Sequence, residues 1–302
     1  MRNFFLSATT KTFCIIFSLL STLALANTKK IEINPETLPQ LLSPAIDFIV
    51  DEQGDKSLEV IKQSNDWQAV KRDYLLGGFT DSAYWVKFTV ENTYIEDQHW
   101  ILEVDYPIID YIEFYQPTLS GGYKKILAGD KYPFQQRPID SHNIAFPINS
   151  PANTLQTFYL RFETESSMNI GLHMLTKHSF TEEMASELLI FGSIYGIVIL
   201  ATIYSLINAV FLRERMYLFI AISIFGSLGY SLSLNGFAFQ YLWSNNLWLQ
   251  SIAVPFCLNI CFGFALFYSR EFLNLSSISP KVDKVVISLS SFCLGMAFLS
   301  LF

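Results

Sequence analysis

Four apolar runs after residue 187 decide the solvent in which that part of the chain folds. Residues 188–212 form 25 consecutive positions without a charge, and 216–234, 247–269 and 285–302 repeat the pattern. Crossing the hydrocarbon core of a bilayer takes about 20 apolar residues, so each run reads as a transmembrane helix. The connections set the orientation. Arg213 and Arg215 join the first two runs, and Arg270, Lys281 and Lys284 lie between the last two, while 235–246 carries no charge. Basic loops stay cytoplasmic, which puts 235–246 on the outer side. Tyr241, Trp243 and Trp248 cluster there, where amphipathic rings favour the headgroup zone. No Asp, Glu, Lys, Arg or His lies within a run, which disfavours an ion-coupled transporter. Asn208, Gln250 and Asn259 are expected to hydrogen-bond between helices. Gly192-x-x-x-Gly196 has two readings, a homodimer contact or close packing within the chain. Cys257 and Cys261, four apart with no companion ligand, read as packing residues rather than a metal site.

The chain before these runs lives in water. Residues 1–26 have the tripartite form of a signal peptide: Arg2 and Lys11, a short apolar stretch at 13–23, and the small-x-small site Ala24-Leu25-Ala26. Residues 27–187 carry 13 Lys+Arg against 24 Asp+Glu, which disfavours nucleic acid and other highly charged anionic polymers as partners. They hold no cysteine, so an exported domain here folds without disulfides. Together these features predict a bacterial inner-membrane protein with its N-terminal domain in the periplasm. The divisions are a signal peptide at 1–26, a sensor domain at 27–180 and a membrane region at 181–302.

Between residues 27 and 179 the pattern is that of short strands. Tyr84, Val86, Phe88 and Val90 alternate with polar or outward residues, and the polar stretch 92–98 followed by 100–104 suggests an antiparallel hairpin. Further strands are expected at 109–115, before the Gly121-Gly122 turn, at 158–162 and at 173–175, with a short helix at 57–63. Many strands without long helices between them predict an all-β jelly roll or sandwich, followed by an α-helical membrane bundle. Ser179-Phe180-Thr181-Glu182 reads as a capping box, from which an unbroken helix could run into the first span. A short linker is the alternative.

The order of these elements resembles the seven-transmembrane receptors with diverse intracellular signalling modules, the 7TMR-DISM family. Phe48-Ile49-Val50-Asp51 with Leu58-Glu59-Val60 looks like the start of that family's extracellular domain of the second type. Tyr84-Trp85-Val86-Lys87-Phe88 with Asn92 is similar to its aromatic strand and turn, where Arg is commoner than Lys87. The stretch from Ile109 to Tyr115, then Gly129-Asp130, Pro133-Phe134, Arg137 and Tyr159-Leu160-Arg161 follow in the family's order. Arg213-Glu214-Arg215-Met216-Tyr217-Leu218 and the stretch from Asn235 to Trp243 look like its first two membrane loops. The resemblance implies a jelly-roll ectodomain similar to carbohydrate-binding modules, sensing small molecules that include carbohydrates. It also implies seven spans and a cytoplasmic output domain. With four spans, the chain is expected to be a fragment of a longer reading frame; a genuine four-span relative is the alternative.

Sugars stack their C–H faces on aromatic rings while their hydroxyls need polar partners. Trp67, Trp85, Trp100, Tyr111 and Tyr115 are candidate platforms, each with burial in a core as the alternative. Trp85 with Lys87, Asp130, Arg137 and Arg161 form the candidate ligand set, although the two arginines would equally suit structural ion pairs. The sequence contains no G-x-S-x-G elbow, no Walker-type glycine loop and no metal-binding histidine spacing, so no catalytic residue, cofactor or metal site is expected. Glu163 and Glu165 read as an acidic pair on a solvated strand face. The expected function is the sensory and membrane half of a receptor that binds a small ligand. A membrane-anchored binding or scaffold protein without signalling output is the alternative.

Overall fold

The computed structural model describes residues 30–32 and 40–302, so the expected signal peptide lies outside the described residues. Two β-sheets face each other. The larger is built around the long strands β6 (Ala83–Asn92) and β11 (Thr154–Glu163), which pair antiparallel. On one side of this pair lie β3 (Asp47–Asp51) and β4 (Gln68–Ala69), with β1 (Lys30–Glu32) parallel to the far end of β6. On the other side lies the hairpin of β8 (Tyr111–Pro117) and β9 (Tyr123–Ala128), closed by the Gly121-Gly122 turn. The smaller sheet runs β10 (Ile144–Ser150), β7 (Gln98–Val104), β13 (Leu172–Leu175), β2 (Gln40–Leu41). A separate ribbon pairs β5 (Leu75–Phe79) with β12 (Ser167–Ile170).

The two-residue period of β6 explains the layering. Tyr84, Val86, Phe88 and Val90 point between the sheets, where Phe88 stacks on Phe158 at 5.2 Å and Phe114 meets Phe146 at 4.8 Å. The expected hairpin from 84–91 to 100–104 does not form. β6 pairs with β1, β3 and β11, while β7 belongs to the opposite sheet. Asn92 holds this crossover, its amide donating to the carbonyls of Glu96, Ser150 and Pro151. Both faces of β6 are largely buried, which suits a central strand better than half of a solvated hairpin.

Helix α1 (Leu58–Gln63) starts after Ser57, whose carbonyl accepts from Ile61 N. It lays Leu58 and Ile61 over Ile49 and Trp85 on the outer face of the larger sheet. The strands end at Leu175, and α2 (Lys177–Leu212) then runs 36 residues without a break. Its cap is Thr176, which accepts from Ser179 N, rather than the expected Ser179. Next come α3 (Arg215–Leu234), a short α4 (Phe237–Tyr241), α5 (Leu247–Phe272), a short α6 (Leu275–Ile278) and α7 (Pro280–Leu299). Four of these, α2, α3, α5 and α7, are long and apolar enough to cross a membrane. They pack in series, α2 on α3, α3 on α5 and α5 on α7.

Small residues set the closest approach. At Gly226 an added Cβ would come 2.9 Å from the Cys261 backbone nitrogen, and Gly229 faces the Cys257 sulfur, so both cysteines serve helix packing. Gly192 and Gly196 have nothing beside them within the described residues and take no part in intrachain packing. Asn208 and Asn259 donate to carbonyls one turn earlier in their own helices, against the interhelical expectation, because the preceding turn is the nearest acceptor to a short amide side chain.

Candidate functional site

Outside α1 the larger sheet opens a cleft of about 670 Å³, within the range of small-molecule sites. Trp85, Tyr115 and Tyr123 line it from β6, β8 and β9, and α1 forms one wall. Strand alternation puts all three rings on the face away from the inter-sheet core, because each stands at an outward register position. Trp85 is only 1% exposed, covered by α1 and stacked on Tyr115 at 5.6 Å. Its indole N–H finds no acceptor among the described residues. Tyr115 and Tyr123 are half-buried and offer the more open ring faces, with Tyr159 and Trp67 behind them. Their hydroxyls are committed. Tyr115 donates to Glu113 at 2.5 Å, and Tyr123 donates to the Thr157 carbonyl at 3.2 Å. Burial, followed by the Glu113 carboxylate, pushes the Tyr115 hydroxyl well above the usual phenol range.

Arg161 lines the same cleft. It donates to the Gly54 carbonyl at 2.7 Å and pairs with Glu163 at 2.8 Å. Lys87 sits nearby on β6, its ammonium 4.2 Å from the centre of the Trp67 ring and 3.7 Å from Asp47. Desolvation lowers its pKa, with Asp47 opposing the shift. Three of the five sequence candidates, Trp85, Lys87 and Arg161, therefore share one face. The expected acidic strand pair does not form, since Glu163 ends β11 and Glu165 turns outward to Lys131 at 3.6 Å.

Asp130 and Arg137 lie elsewhere, in a seam between the sheets and the membrane helices. Arg137 is buried between Phe134 at 4.8 Å and Phe239 at 5.5 Å. One of its terminal nitrogens donates to the Ser141 and His142 carbonyls, both at 2.9 Å. Burial lowers its pKa to about 10, with Asp130 and Asp140 opposing. Asp130 accepts from Gln250 of α5 at 3.4 Å, and Gln250 in turn accepts from Trp243 at 3.0 Å. Gln250 thus joins the two parts of the molecule instead of two helices. Burial and then Asp110 push the Asp130 carboxyl up to about 7. Beside it His142 stacks on Phe237 at 4.3 Å and reaches Glu187 of α2 at 3.1 Å. Asn143 donates to Glu103 at 3.1 Å, and burial raises Glu103 to about 7. Gly236 closes the seam at a φ of +76°, where an added Cβ would run into the His142 carbonyl oxygen.

Sequence reasoning missed Tyr123 and the cleft's lysines, Lys56, Lys62 and Lys125. The usable signal was local: Tyr123 and Lys125 are two apart after a glycine turn, so they share a strand face with Tyr115 opposite Lys125. Two other candidate platforms drop out. Trp100 is buried between the sheets, and Tyr111 stands against Tyr132 away from the cleft.

A model of the 7TMR-DISM extracellular 2 domain matches residues 43–176, and a model of the 7TM diverse intracellular signalling region matches residues 187–302. No curated protein matches the chain. With a sheet domain matching the first model and the membrane helices matching the second, the chain belongs to the 7TMR-DISM family.

Proposed function

We propose that this chain is the input half of a bacterial inner-membrane receptor, with the sheet domain in the periplasm and the 213–215 and 270–284 connections in the cytosol. A small molecule, carbohydrates among the candidates, binds in the cleft beside α1, and the helices carry the change to an output module. No catalytic role is assigned to the chain itself.

One observation carries this reading. The β8–β9 hairpin reaches from the cleft to the seam: Tyr115 and Tyr123 line the cleft, while Asp110 and Asp130 flank the other ends of the same strands, and Asp130 meets Gln250 of α5. A ligand that favours one position of Tyr115 and Tyr123 would bias the position of Asp130 against the helix. Differential affinity for the two arrangements is required, since equal affinity shifts nothing. The continuous α2 supplies a second mechanical link.

The test is a thermal-shift screen of the full chain in nanodiscs against sugars, sugar acids, amino acids and dicarboxylates, followed by hydrogen exchange on any hit. The expected result is changed protection at both 113–125 and 236–252. A hit that alters only 113–125 would reject the receptor reading in favour of the membrane-anchored binding protein.

A further inference from the structure

We propose that the cleft selects a carboxylate-bearing sugar, a uronic acid or a short oligomer of one, over its neutral counterpart. This rests on the cleft being the ligand site and adds the chemistry of the ligand. Charge is the first argument. Residues 27–187 hold 13 basic and 24 acidic residues, yet the cleft reverses that balance. Lys56, Lys62, Lys125 and Arg161 line it against Glu59 and Glu113. A local excess of cations in an acidic domain attracts an anion to that place and repels it elsewhere.

Pairing is the second argument. Lys125 is neutralised by Glu113 at 2.7 Å and Arg161 by Glu163 at 2.8 Å. Lys56 and Lys62 form no ion pair within the described residues, although carboxylates are plentiful in the domain. The Lys62 ammonium instead sits 5.1 Å from the centre of the Tyr123 ring. Ring chemistry supplies the rest. With the hydroxyls of Tyr115 and Tyr123 already donated to Glu113 and Thr157, what these residues present is ring face, over which only the long side chains of Lys125, at 5.8 Å, and Lys62 lie on the cleft side. Such a face takes the C–H side of a pyranose. A mobile, exposed ammonium at a stacking ring matches a molecule with a carboxylate on a C–H-faced ring.

The experiment titrates the full chain in nanodiscs of zwitterionic lipid, by calorimetry. The probes are glucuronate and galacturonate with their dimers and trimers, the matching neutral hexose oligomers, and citrate as a carboxylate without a ring. The uronates are expected to bind at least tenfold more tightly than the neutral sugars, with affinity falling as salt rises from about 0.05 to 0.5 M. Lys62→Gln and Lys56→Gln should each weaken uronate binding roughly fivefold while leaving the melting temperature unchanged, since exposed unpaired ammoniums add little to stability. Neutral sugars that bind as tightly and ignore both lysine variants would overturn the acid inference yet leave the cleft as the site. Binding of citrate alone, or of nothing in the panel, would also overturn it. Uronate binding that survives Tyr123→Ala would defeat the cleft reading itself.

Discussion

The cleft and the seam use similar materials to opposite ends. In the cleft, Lys62 stands over Tyr123 at 5.1 Å with its ammonium exposed to water. In the seam, Arg137 lies between two phenylalanine rings and has already given hydrogen bonds to three neighbouring carbonyls, those of Ser141, His142 and Asn143. A hydrated ammonium can exchange water for a ligand oxygen. A guanidinium buried between two rings, its terminal nitrogens on backbone carbonyls and its Nε–H without an acceptor among the described residues, cannot do so without opening the interface. The contrast teaches that a cation beside an aromatic ring is a binding candidate only where water reaches its donors. Asp130 and Arg137 carry the interface between sheets and helices, while Trp85 and Arg161 belong to the cleft.

If that contrast is right, the largest effect should come from the seam. Arg137→Ala should destabilise the full chain by about 3 kcal/mol, because it strips the partners from buried carbonyls and empties the space between Phe134 and Phe239. Thermal melts in nanodiscs would measure it, and an unchanged melting temperature would mean that the seam does not hold the two parts together.

The second effect is on pH. Folding raises Asp130 from 3.8 to about 7 and Glu103 from 4.5 to about 7, so the folded chain binds protons more tightly than the unfolded one. That contribution is full below about pH 4 and is lost as pH rises through about 7. The melting temperature should therefore fall by several degrees between about pH 5 and pH 8. Asp110, Lys131 and Glu165 face the same pocket as Asp130, and Asp130→Asn should flatten the part of the slope that this group contributes. A slope that survives both Asp130→Asn and Glu103→Gln would assign it to other groups.

Gly236→Ala should have a smaller effect, about 1–2 kcal/mol, since the residue sits at positive φ and an added Cβ meets the His142 carbonyl. Hydrogen exchange should localise the loosening to 236–246 and 139–143; protection unchanged there would count against the contact. Lys87→Gln, on the same sheet face as the cleft, should shift stability by less than about 0.5 kcal/mol, because its pairing with Asp47 at 3.7 Å is partly exposed. A loss several times larger would show that the sheet face carrying the cleft is as structural as the seam, and the contrast between the regions would fail.

Legibility in the sequence followed the range of the interaction. The outward placement of Trp85 and Lys87 beside the inward Tyr84, Val86 and Phe88 could be read from alternation alone, since side-chain direction repeats every two residues whatever the strand pairs with. The α1 helix was visible at 57–63, but not that it would roof Trp85, because the contacts of Leu58 and Ile61 lie across the sheet. Arg137 and Arg161 looked alike in sequence, each a cation near aromatic residues. Gln250 read as a membrane polar group, and nothing near it in the chain hinted at Asp130, 120 residues earlier.

By itself, then, the sequence determined which stretches avoid water and which strands alternate, because each follows from solvation or from a local repeat. The tertiary structure decided that β6 and β7 part to opposite sheets, that Gly226 rather than Gly192 marks the close helix contact, and that five candidate residues divide between a cleft and a seam. Those outcomes depend on which distant surfaces meet, and burial and pairing are properties of the meeting, not of either surface alone.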